Sequence, residues 1–499
     1  MQNENQLIKA RKEKLQKLIE MGINPYPAKA KRTYLISDIL TEPEKFIEEE
    51  INVEIVGRIH SLRKMGKASF FHIEDKSGKI QIYIRRDDIG EKNYTIFKQS
   101  DLGDFVNIFG KVFRTQTGEL SIHADKFSFL TKSIRPLPIV KEKEAEGKKV
   151  VYDQFVDKEL RYRKRYLDLL LNPEVKETFI TRSKIIKMMR EFLDKKDFIE
   201  VETPILQPLY GGAAAQPFIT KHNKLDMNLY LRIADELYLK RLIIGGFEKV
   251  YEVCKDFRNE GMDRMHNPEF TMIELYQAYA DYNDIMNLVE EMLTEIAVEI
   301  CPDTIGMKFE YDGNKIDLTK PWKRVSITSL IKEYANIDIE KLSLEEMLKF
   351  CKEHEIELET KTYGKVIDEI FKQVVEPNLI QPTFVIDYPK EISPLAKSRP
   401  DNPQIVERFE VFIGGLEIGN AFTELNDPID QRARLEDQAK KRKLGDLSAN
   451  QVDEDFLEAM EYGMPPTGGL GLGVDRIVML FTNSHSIKDV IFFPQMRNV

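Results

Sequence analysis

Side chains of several chemical types are concentrated in the stretch FRNEGMDRMHNPEFTMIELY at positions 257–276. If the runs 250–260 and 269–279 are paired strands, alternation places on one sheet face Arg258, Glu260, Phe270, Glu274 and Tyr276. A guanidinium can bind phosphate or carboxylate through two hydrogen bonds, and an aromatic ring can stack on a planar ligand. The connecting loop adds His266. The stretch therefore predicts a polar, ligand-sized surface with an apolar reverse face.

A second candidate element is RFEVFIGGLEIGNAFTELND at 408–427. Gly414-Gly415 predicts a two-residue hairpin turn that pairs Phe412 with Glu417. Glu410 then lies diagonally opposite Glu417, at about 7 Å. Two carboxylates at that distance repel by roughly 2–3 kcal/mol at an effective dielectric near 20. An exposed hairpin would tolerate this repulsion, whereas a cleft would require a cation, and oxygen ligands beside phosphates suit Mg²⁺.

The same hairpin continues into Asn420, Phe422 and Glu424. Strict alternation places these three residues on the face opposite Glu417. A bulge near Gly419 is therefore required if all of them are to face one pocket.

A third element is the glycine-rich run PTGGLGLGVDR at 466–476. Alternate glycines allow a ligand or a helix to approach the backbone closely, and Arg476 begins a predicted helix. The run matches neither a dinucleotide-binding fingerprint nor a Walker loop. The three cysteines, Cys254, Cys301 and Cys351, lie about fifty residues apart without a C-x-x-C pair, which disfavours a disulfide framework or a zinc knuckle.

The composition describes a folded protein that carries these elements on more than one domain. The chain has 499 residues, 42% hydrophobic and 32% charged, with a net charge of −10. Such a charge excludes a wholly basic nucleic-acid coat but leaves room for a basic patch. The N-terminus does not resemble a signal peptide, and no apolar run of about 18 residues occurs. We therefore expect a cytoplasmic protein without a membrane partner.

The N-terminal third combines a basic helix with a small β domain. Residues 5–21 repeat apolar residues at helical spacing among many lysines, which fits either a solvated face or an RNA-contacting arm. Five runs of period two follow, at 53–63, 68–75, 79–86, 104–114 and 119–125, with a short helix at 93–100. This order predicts an OB-fold barrel. Residues 51–140 carry 15 basic and 10 acidic residues, which favours a polyanion partner.

We assign residues 1–35 to the N-terminal helix, 36–140 to the OB-fold domain, 141–155 to a charged linker and 156–499 to one large α+β domain. Helical insertions are expected near 280–300 and 326–375. On the second barrel strand, Phe70 and Phe71 must face opposite sides, and the exposed one could stack on a base.

Three stretches together resemble the signature motifs of class II aminoacyl-tRNA synthetases. KETFITRSKIIKMMREFLDKKDFIEVETPIL (176–206) is similar to the dimer-interface motif, FRNEG and HNPEFT to the second motif, and GGLGLGVDR to the third. Their order and the N-terminal barrel match the lysine, aspartate and asparagine branch. GGAAAQPFIT (211–220), RIADELYLKRL (232–242), HNPEFTMIELYQAYADY (266–282) and FIGGLEIGNAFTELNDP (412–428) resemble its lysyl members.

The resemblance implies an antiparallel-sheet catalytic domain, a homodimer, and ATP-dependent transfer of L-lysine to tRNA(Lys). It assigns ATP to Arg258, Glu260, His266, Phe270, Glu410, Glu417 and Arg476, with Arg258 and Arg476 as the catalytic residues. It places the adenine ring between Phe270 and Arg476, and Mg²⁺ on Glu410 and Glu417. It assigns lysine to Gly212, Glu236, Glu274, Tyr276, Asn420, Phe422 and Glu424. It assigns the anticodon to Arg58, Phe70, Gln81 and Glu119.

The residue types favour the lysyl assignment independently, because the carboxylates Glu236, Glu274 and Glu424 suit a diammonium substrate and repel an acidic one. Taken singly, Glu236 also fits a helix-start carboxylate, and Glu424 a solvated loop acid. An aspartyl or asparaginyl synthetase, a lysyl ligase that modifies a translation factor, and a non-catalytic RNA-binding module remain alternatives.

Overall fold

The computed structural model describes residues 2–138, 141–145, 148–152, 155–301, 307–358, 360–443 and 451–497. The chain divides into two compact units, Met1–Phe155 and Val156–Val499. Within these described ranges, none of the helices combines the length and the apolar character that a membrane span requires.

The first unit is built on a five-stranded closed barrel, with neighbours in the order β1-β2-β3-β5-β4. The elements of this unit are α1 Gln2–Glu20, α2 Ile36–Thr41, α3 Pro43–Glu48, β1 Asn52–Lys64, β2 Ala68–Glu74, β3 Lys79–Arg85, α4 Arg86–Ile89, α5 Glu91–Lys98, β4 Phe105–Arg114, β5 Leu120–Thr131, β6 Lys141–Ala145 and β7 Lys148–Tyr152. The predicted five-stranded barrel is confirmed.

Alternation along β2 separates the two neighbouring phenylalanines. Phe71 is 1% exposed and belongs to the barrel core, whereas Phe70 is half-buried. Helix α1 packs on the barrel through Leu18, which is fully buried. Its Arg11 donates to the main-chain oxygens of Leu102 and Ser133 at 3.0 and 3.2 Å. Part of the basic character of α1 thus serves intramolecular contacts.

The stretch 141–155, predicted to be a charged linker, contains a β-hairpin. β6 and β7 pair antiparallel, with Glu142 opposite Val151 and Glu144 opposite Lys149. The run Val150, Val151 and Tyr152 has high β-propensity, which the interpretation based on charge overlooked.

The second unit alternates helices with strands. Its elements are α6 Lys158–Arg163, α7 Arg165–Leu171, α8 Pro173–Asp194, β8 Ile199–Glu200, β9 Leu206–Gln207, β10 Ile219–His222, β11 Met227–Leu231, α9 Glu236–Ile244, β12 Lys249–Phe257, β13 Glu269–Ala278, α10 Tyr282–Ile300, β14 Lys308–Tyr311, β15 Asn314–Asp317, β16 Lys323–Ser326, α11 Ile327–Ala335, α12 Leu344–Glu353, α13 Tyr363–Ile370, β17 Thr383–Pro389, β18 Ile405–Ile413, β19 Leu416–Thr423, α14 Pro428–Lys443, α15 Glu454–Glu461, β20 Thr467–Gly473, α16 Val474–Phe481 and α17 Ile487–Val490. Short 3₁₀ helices occupy Ile339–Lys341, Glu376–Asn378 and Lys390–Ile392, and a π-helical turn occupies Phe371–Val375.

An eight-stranded sheet forms the centre of the second unit, in the order β16-β17-β18-β19-β20-β13-β12-β8. It is antiparallel except at its two ends, where β8 pairs parallel with β12 and β16 with β17. Its reverse face is apolar: Ile273, Leu275, Leu470 and Leu472 pack with side chains of α8, α10 and α16 in the largest core of this unit. The opposite face is therefore free to carry polar residues.

The strands β12 and β13 pair as the alternation pattern predicts, with Glu252 opposite Glu274 and Asp256 opposite Phe270. However, β12 ends at Phe257, so Arg258 and Glu260 lie beyond the strand. The expectation that alternation extends to Glu260 is wrong, because the backbone has already left the sheet at that position.

The hairpin at Gly414-Gly415 pairs Ile413 with Leu416 and Phe412 with Glu417, as predicted. Both glycines have positive φ, 65° and 73°, as this type of tight turn requires. The register then shifts, since Val411 lies opposite Gly419 and leaves Ile418 as the extra residue. This bulge puts Glu410, Glu417 and Asn420 on one face of the sheet.

Candidate active site

A glycine-floored trough crosses the polar face of the sheet along β20. Gly469 lies between Tyr276 on β13 and Phe422 on β19, and Gly471 lies between Glu274 and Asn420. Because glycine has no side chain, side chains from neighbouring elements can lie directly over the β20 backbone. A β-carbon on Gly469 would overlap Glu424 Oε1 and the Tyr276 ring. The glycine-rich run thus makes room for the side chains that are predicted to bind the substrate lysine.

The predicted ammonium-binding carboxylates converge at one end of this trough. Glu236 begins α9, and Glu424 directly follows β19; they are 5% and 1% exposed. Both carboxylates contact the same ammonium group, that of Lys240, with Glu236 Oε1 at 2.5 Å from Nζ. Gly212 lies beside them, since a β-carbon there would be 3.2 Å from Glu236 Cβ.

Burial controls the protonation of these acids. Burial raises the pKa of Glu424 to about 8, against the lowering effect of Lys240. The pKa of Glu236 is raised for the same reason. Burial and the neighbouring charges of Asp235 raise the pKa of Glu274 well above its ordinary value, and its Oε2 accepts a hydrogen bond from Tyr276 at 3.4 Å. The three carboxyl groups therefore have raised proton affinities, and Lys240 opposes this effect at Glu236 and Glu424.

A second cluster of acidic residues lies beside Glu274. One ligand atom from each of Asp235, Cys254 and Asp256 lies within 4.8 Å of the others, which is suitable spacing for a metal. Arg232 Nε lies 2.9 Å from Asp235 and 3.5 Å from Asp256, so a guanidinium already provides positive charge there. Burial and the Asp256 charge raise the pKa of Asp235 to about 8. Cys254 is a buried thiol whose pKa is raised by burial, not a nucleophile.

Arg258 and Phe270 are adjacent at the other end of β13. The Arg258 guanidinium lies over the Phe270 ring at 5.1 Å from its centroid. Its Nε is buried and, within the described part of the chain, has no hydrogen-bond partner, so this donor can serve an anionic ligand. Glu260 Oε1 accepts the main-chain N–H of Gln216 at 3.3 Å.

Arg476, His266 and Glu417 form a separate contact at the start of α16. Arg476 Nη1 donates to the main-chain oxygen and to Oε2 of Glu417 at 2.6 and 3.2 Å. Arg476 Nη2 lies 3.4 Å from His266 Nε2, and His266 Nδ1 lies 2.8 Å from Asp263. The structure therefore brings three predicted ATP-binding residues together, while an adenine ring between Phe270 and Arg476 stays a prediction.

Glu410 is held in place by two partners that sequence patterns did not indicate. Arg408 Nη2 donates to Glu410 Oε1, and Tyr388 Oη donates to Oε2 at 2.8 Å. Arg408 Nε also donates to Asn420 Oδ1 at 3.1 Å. Burial raises the pKa of Glu410 to about 7.

The residues around Glu410 fit a hard divalent cation. Glu376 adds a third carboxylate: burial together with the charges of Glu417 and Glu410 raises its pKa to about 7. Glu376, Glu410 and Glu417 together offer the oxygen donors that Mg²⁺ prefers when it is shared with phosphates. Glu376 was missed because it comes from the helical insertion, where the sequence has no motif.

A hydrogen-bonded link connects the three motif regions. Arg182 on α8 contacts Asp475 Oδ1 at 2.5 Å and donates to Thr271 Oγ1 at 2.8 Å. Asp475 Oδ2 accepts the main-chain N–H of Thr271 at 2.7 Å. These contacts fix α8 and α16 against β13, and so position Phe270 relative to Arg476.

In the first unit, three of the predicted anticodon-binding residues lie on one outer face of the barrel. The Phe70 ring is 4.9 Å from the Tyr83 ring. His72 pairs with Gln81 across β2 and β3 and lies 3.1 Å from Glu119. Half-buried aromatic rings beside polar groups suit the stacking of single-stranded bases.

Arg58 is not beside Phe70. It pairs with Glu74 across β1 and β2, and its guanidinium lies over the Phe105 ring at 4.2 Å. The residue opposite Phe70 is Arg63. A β-bulge between Ile59 and Ser61 changes the register, which counting along the sequence could not anticipate.

Comparison with known proteins yields two family matches. Residues 157–497 match the model described as tRNA synthetases class II (D, K and N), and residues 53–130 match the OB-fold nucleic acid binding domain. The two matches cover the second unit and the barrel strands respectively.

Similar proteins extend over nearly the full chain. A lysine–tRNA ligase of Pelotomaculum thermopropionicum is 54% identical over 498 residues, covering 99% of this chain and 95% of that protein. A lysine–tRNA ligase of Bacillus subtilis is 51% identical over 500 residues, with 99% and 97% covered. A lysine–tRNA ligase of Carboxydothermus hydrogenoformans is 51% identical over 496 residues, with 99% and 98% covered.

Proposed function

The chain belongs to the class II tRNA synthetases of the aspartate, lysine and asparagine group, and from this premise we propose that it attaches L-lysine to tRNA(Lys) using ATP. The observation that carries this proposal is the convergence of Glu236, Glu274 and Glu424 beside a glycine-floored trough. A site lined by three buried carboxylates selects a substrate with two ammonium groups and rejects one with a carboxylate side chain.

In the first step, a carboxylate oxygen of lysine attacks the α-phosphorus of ATP. The bond to the bridging oxygen breaks, and pyrophosphate leaves with the electron pair, so that lysyl-adenylate forms. Arg258, whose buried Nε has no partner among the described residues, would neutralise charge between the carboxylate and the α-phosphate. No protein nucleophile is required, since positioning and charge neutralisation supply the rate enhancement.

In the second step, a hydroxyl of the 3′-terminal ribose attacks the lysyl carbonyl. The ester bond forms, the bond between the carbonyl carbon and the phosphate oxygen breaks, and AMP leaves with that electron pair. The hydroxyl proton passes to the phosphate of the departing AMP. The carboxylates Glu236 and Glu424 hold the lysyl group by its ammonium ends throughout, with Tyr276 and Phe422 along its aliphatic chain.

Around ATP, Phe270 and Arg476 would hold the adenine ring between them, Glu260 would contact its edge, and His266 would reach the distal phosphates. Glu410 and Glu417, with Glu376, would hold Mg²⁺, which when bound supplies positive charge to the phosphate oxygens. Arg408 and Tyr388 orient the Glu410 carboxylate for this purpose.

The barrel face around Phe70, Gln81 and Glu119 is proposed to bind the anticodon of tRNA. A homodimer is also part of the proposal. Large apolar side chains are exposed on α7 and α8, at Tyr166 and Ile180, and also at Ile205, Leu206 and Phe493. An exposed set of this kind is typical of an interface. The cytoplasm, where tRNA is charged, is the proposed location.

The test is ATP–pyrophosphate exchange measured with each of the twenty amino acids in turn, without tRNA. Exchange that depends on lysine alone supports the proposal, whereas exchange with aspartate or asparagine contradicts it. A tRNA-charging assay then separates this activity from a lysyl ligase that acts on a protein.

A further inference from the structure

A buried lysine occupies the centre of the proposed lysine site. Lys240, on α9, is fully buried. Its ammonium group contacts Glu236, one helical turn earlier, and Glu424, from the end of β19. Since both contacts are of hydrogen-bond length, the two carboxylate oxygens lie within about 6 Å of each other. The Lys240 side chain thus joins the two carboxylates that we assign to the two ammonium groups of the substrate.

Lys240 is a cation in this position. Burial alone would lower its pKa, but the charges of Glu236 and Glu424 raise it above the ordinary value. The other ionisable groups that face this cluster are Tyr276 and Glu274 from β13. Asp235, just before α9, also contributes to the field at Tyr276. All of these are acids. Arg232 pairs with Asp235, whereas Lys240 is the cation that contacts Glu236 and Glu424 among the groups described.

The adjacent cation on the same helix has different contacts. Arg241 pairs with Asp453 and Asp455, at 2.8 and 2.9 Å, and its side chain is 20% exposed. It therefore provides a natural comparison, with the same charge and the same helix but a partner set outside the cluster.

We propose that Lys240 is a positioning residue, a built-in counter-cation that holds Glu236 and Glu424 in place and favours their ionised forms where the two ammonium groups of the substrate bind. It thereby sets the pH range over which the site takes a diammonium amino acid. This inference rests on the proposed function, because it concerns the substrate specificity of the same site.

The physical reason is the cost of a buried charge. Two carboxylates with exposures of 5% and 1% cannot both stay ionised without a cation, and the expected response is protonation. Even with Lys240 present, burial raises the pKa of Glu424 to about 8. Lys240 lowers the pKa of both acids, so its removal should raise both pKa values. Ionisation of the site then moves to higher pH, and with it the binding of lysine.

The test measures the KM for lysine in ATP–pyrophosphate exchange from pH 6.5 to 9.5 for the wild type, Lys240→Met, Lys240→Gln and Arg241→Met. For both Lys240 variants we expect the pH dependence of the lysine KM to shift upward by at least about one unit, which raises KM at pH 7 by about tenfold or more. The rise should shrink toward pH 9.5, while the KM for ATP stays unchanged. Arg241→Met should match the wild type.

Two variants of different shape guard against a folding defect. Methionine keeps the length of the side chain, and glutamine keeps two amide hydrogens for the carboxylates, so thermal unfolding will identify at least one folded variant lacking the charge. A purely structural role would lower the active fraction at every pH and leave the KM profile in place.

The inference is overturned if a folded Lys240 variant keeps the wild-type lysine KM and its pH profile, or if Arg241→Met shifts the profile equally. This failure is distinct from failure of the proposed function, which would appear as wild-type exchange that does not depend on lysine.

Discussion

Replacement of Glu424 by glutamine tests the lysine site most directly. Glu424 is 1% exposed and lies over the Gly469 backbone, so the isosteric amide fits the same space. The change removes one negative charge without opening a cavity. A hydrogen bond to a charged group contributes about 1.5–3 kcal/mol, and each 1.4 kcal/mol is about tenfold in an equilibrium constant. We therefore expect the KM for lysine to rise by about 10- to 150-fold.

The assay is lysine-dependent ATP–pyrophosphate exchange at saturating ATP, followed by the KM for ATP at saturating lysine. The KM for ATP should stay within about twofold of the wild type, since Glu424 is placed with the lysine residues and not with Arg258 or Phe270. Full charge reversal, Glu424→Lys, should abolish lysine-dependent exchange.

Stability and binding can be separated in the same variant. Because burial raises the pKa of Glu424 to about 8, the folded state binds its proton more tightly than the unfolded state. Ionisation of this group therefore destabilises the fold as pH rises between the unfolded and folded pKa values. Glutamine does not ionise, so Glu424→Gln should unfold at an equal or higher temperature than the wild type at pH 8.

A matched control is Glu290→Gln. Glu290 is 6% exposed on α10 and accepts the main-chain N–H of Trp322 at 2.9 Å. Glu290→Gln is the same chemical change at a similarly buried position, and the lysine KM of this variant should stay unchanged. A lysine KM for Glu424→Gln within threefold of the wild type would refute the assignment of Glu424 to the substrate.

Three other outcomes are expected. Asp235→Asn should flatten the fall in thermal stability between about pH 4 and pH 8, since burial raises the pKa of Asp235 to about 8 and its ionisation therefore destabilises the fold over that range. The exposed Asp437→Asn should leave this profile unchanged. Phe70→Ala should weaken tRNA binding by about 1–3 kcal/mol in a filter-binding assay and leave exchange without tRNA unaffected. Gly469→Ala should raise the lysine KM, because the added β-carbon displaces Glu424; an unchanged KM would show that the trough floor is not part of the site.

Local periodicity predicted the elements that position the site. The alternation of β12 and β13, the Gly414-Gly415 turn and the five barrel strands follow from side-chain period and turn chemistry, and the structure contains each of them. The need for a bulge near Gly419 also followed from side-chain parity, since strict alternation would have divided the site between two faces.

The sequence did not indicate which charged side chains contact one another. Lys240 is one turn from Glu236, which suggests an ordinary helical ion pair, and only the fold brings Glu424 to its other side. Arg408, Tyr388 and Glu376 belong to no motif, yet they surround Glu410 because β17, β18 and the helical insertion converge there. Periodicity cannot report such contacts, because they join residues that are distant along the chain.

The sequence by itself determined the family, the order of the two units and the chemical types gathered at the site, since motif spacing and strand period are properties of neighbouring residues. The tertiary structure decided which carboxylates meet which cations, and therefore which groups change their proton affinity. The physical reason is that charge interaction and burial depend on distance in space, and the packing of the eight-stranded sheet sets those distances.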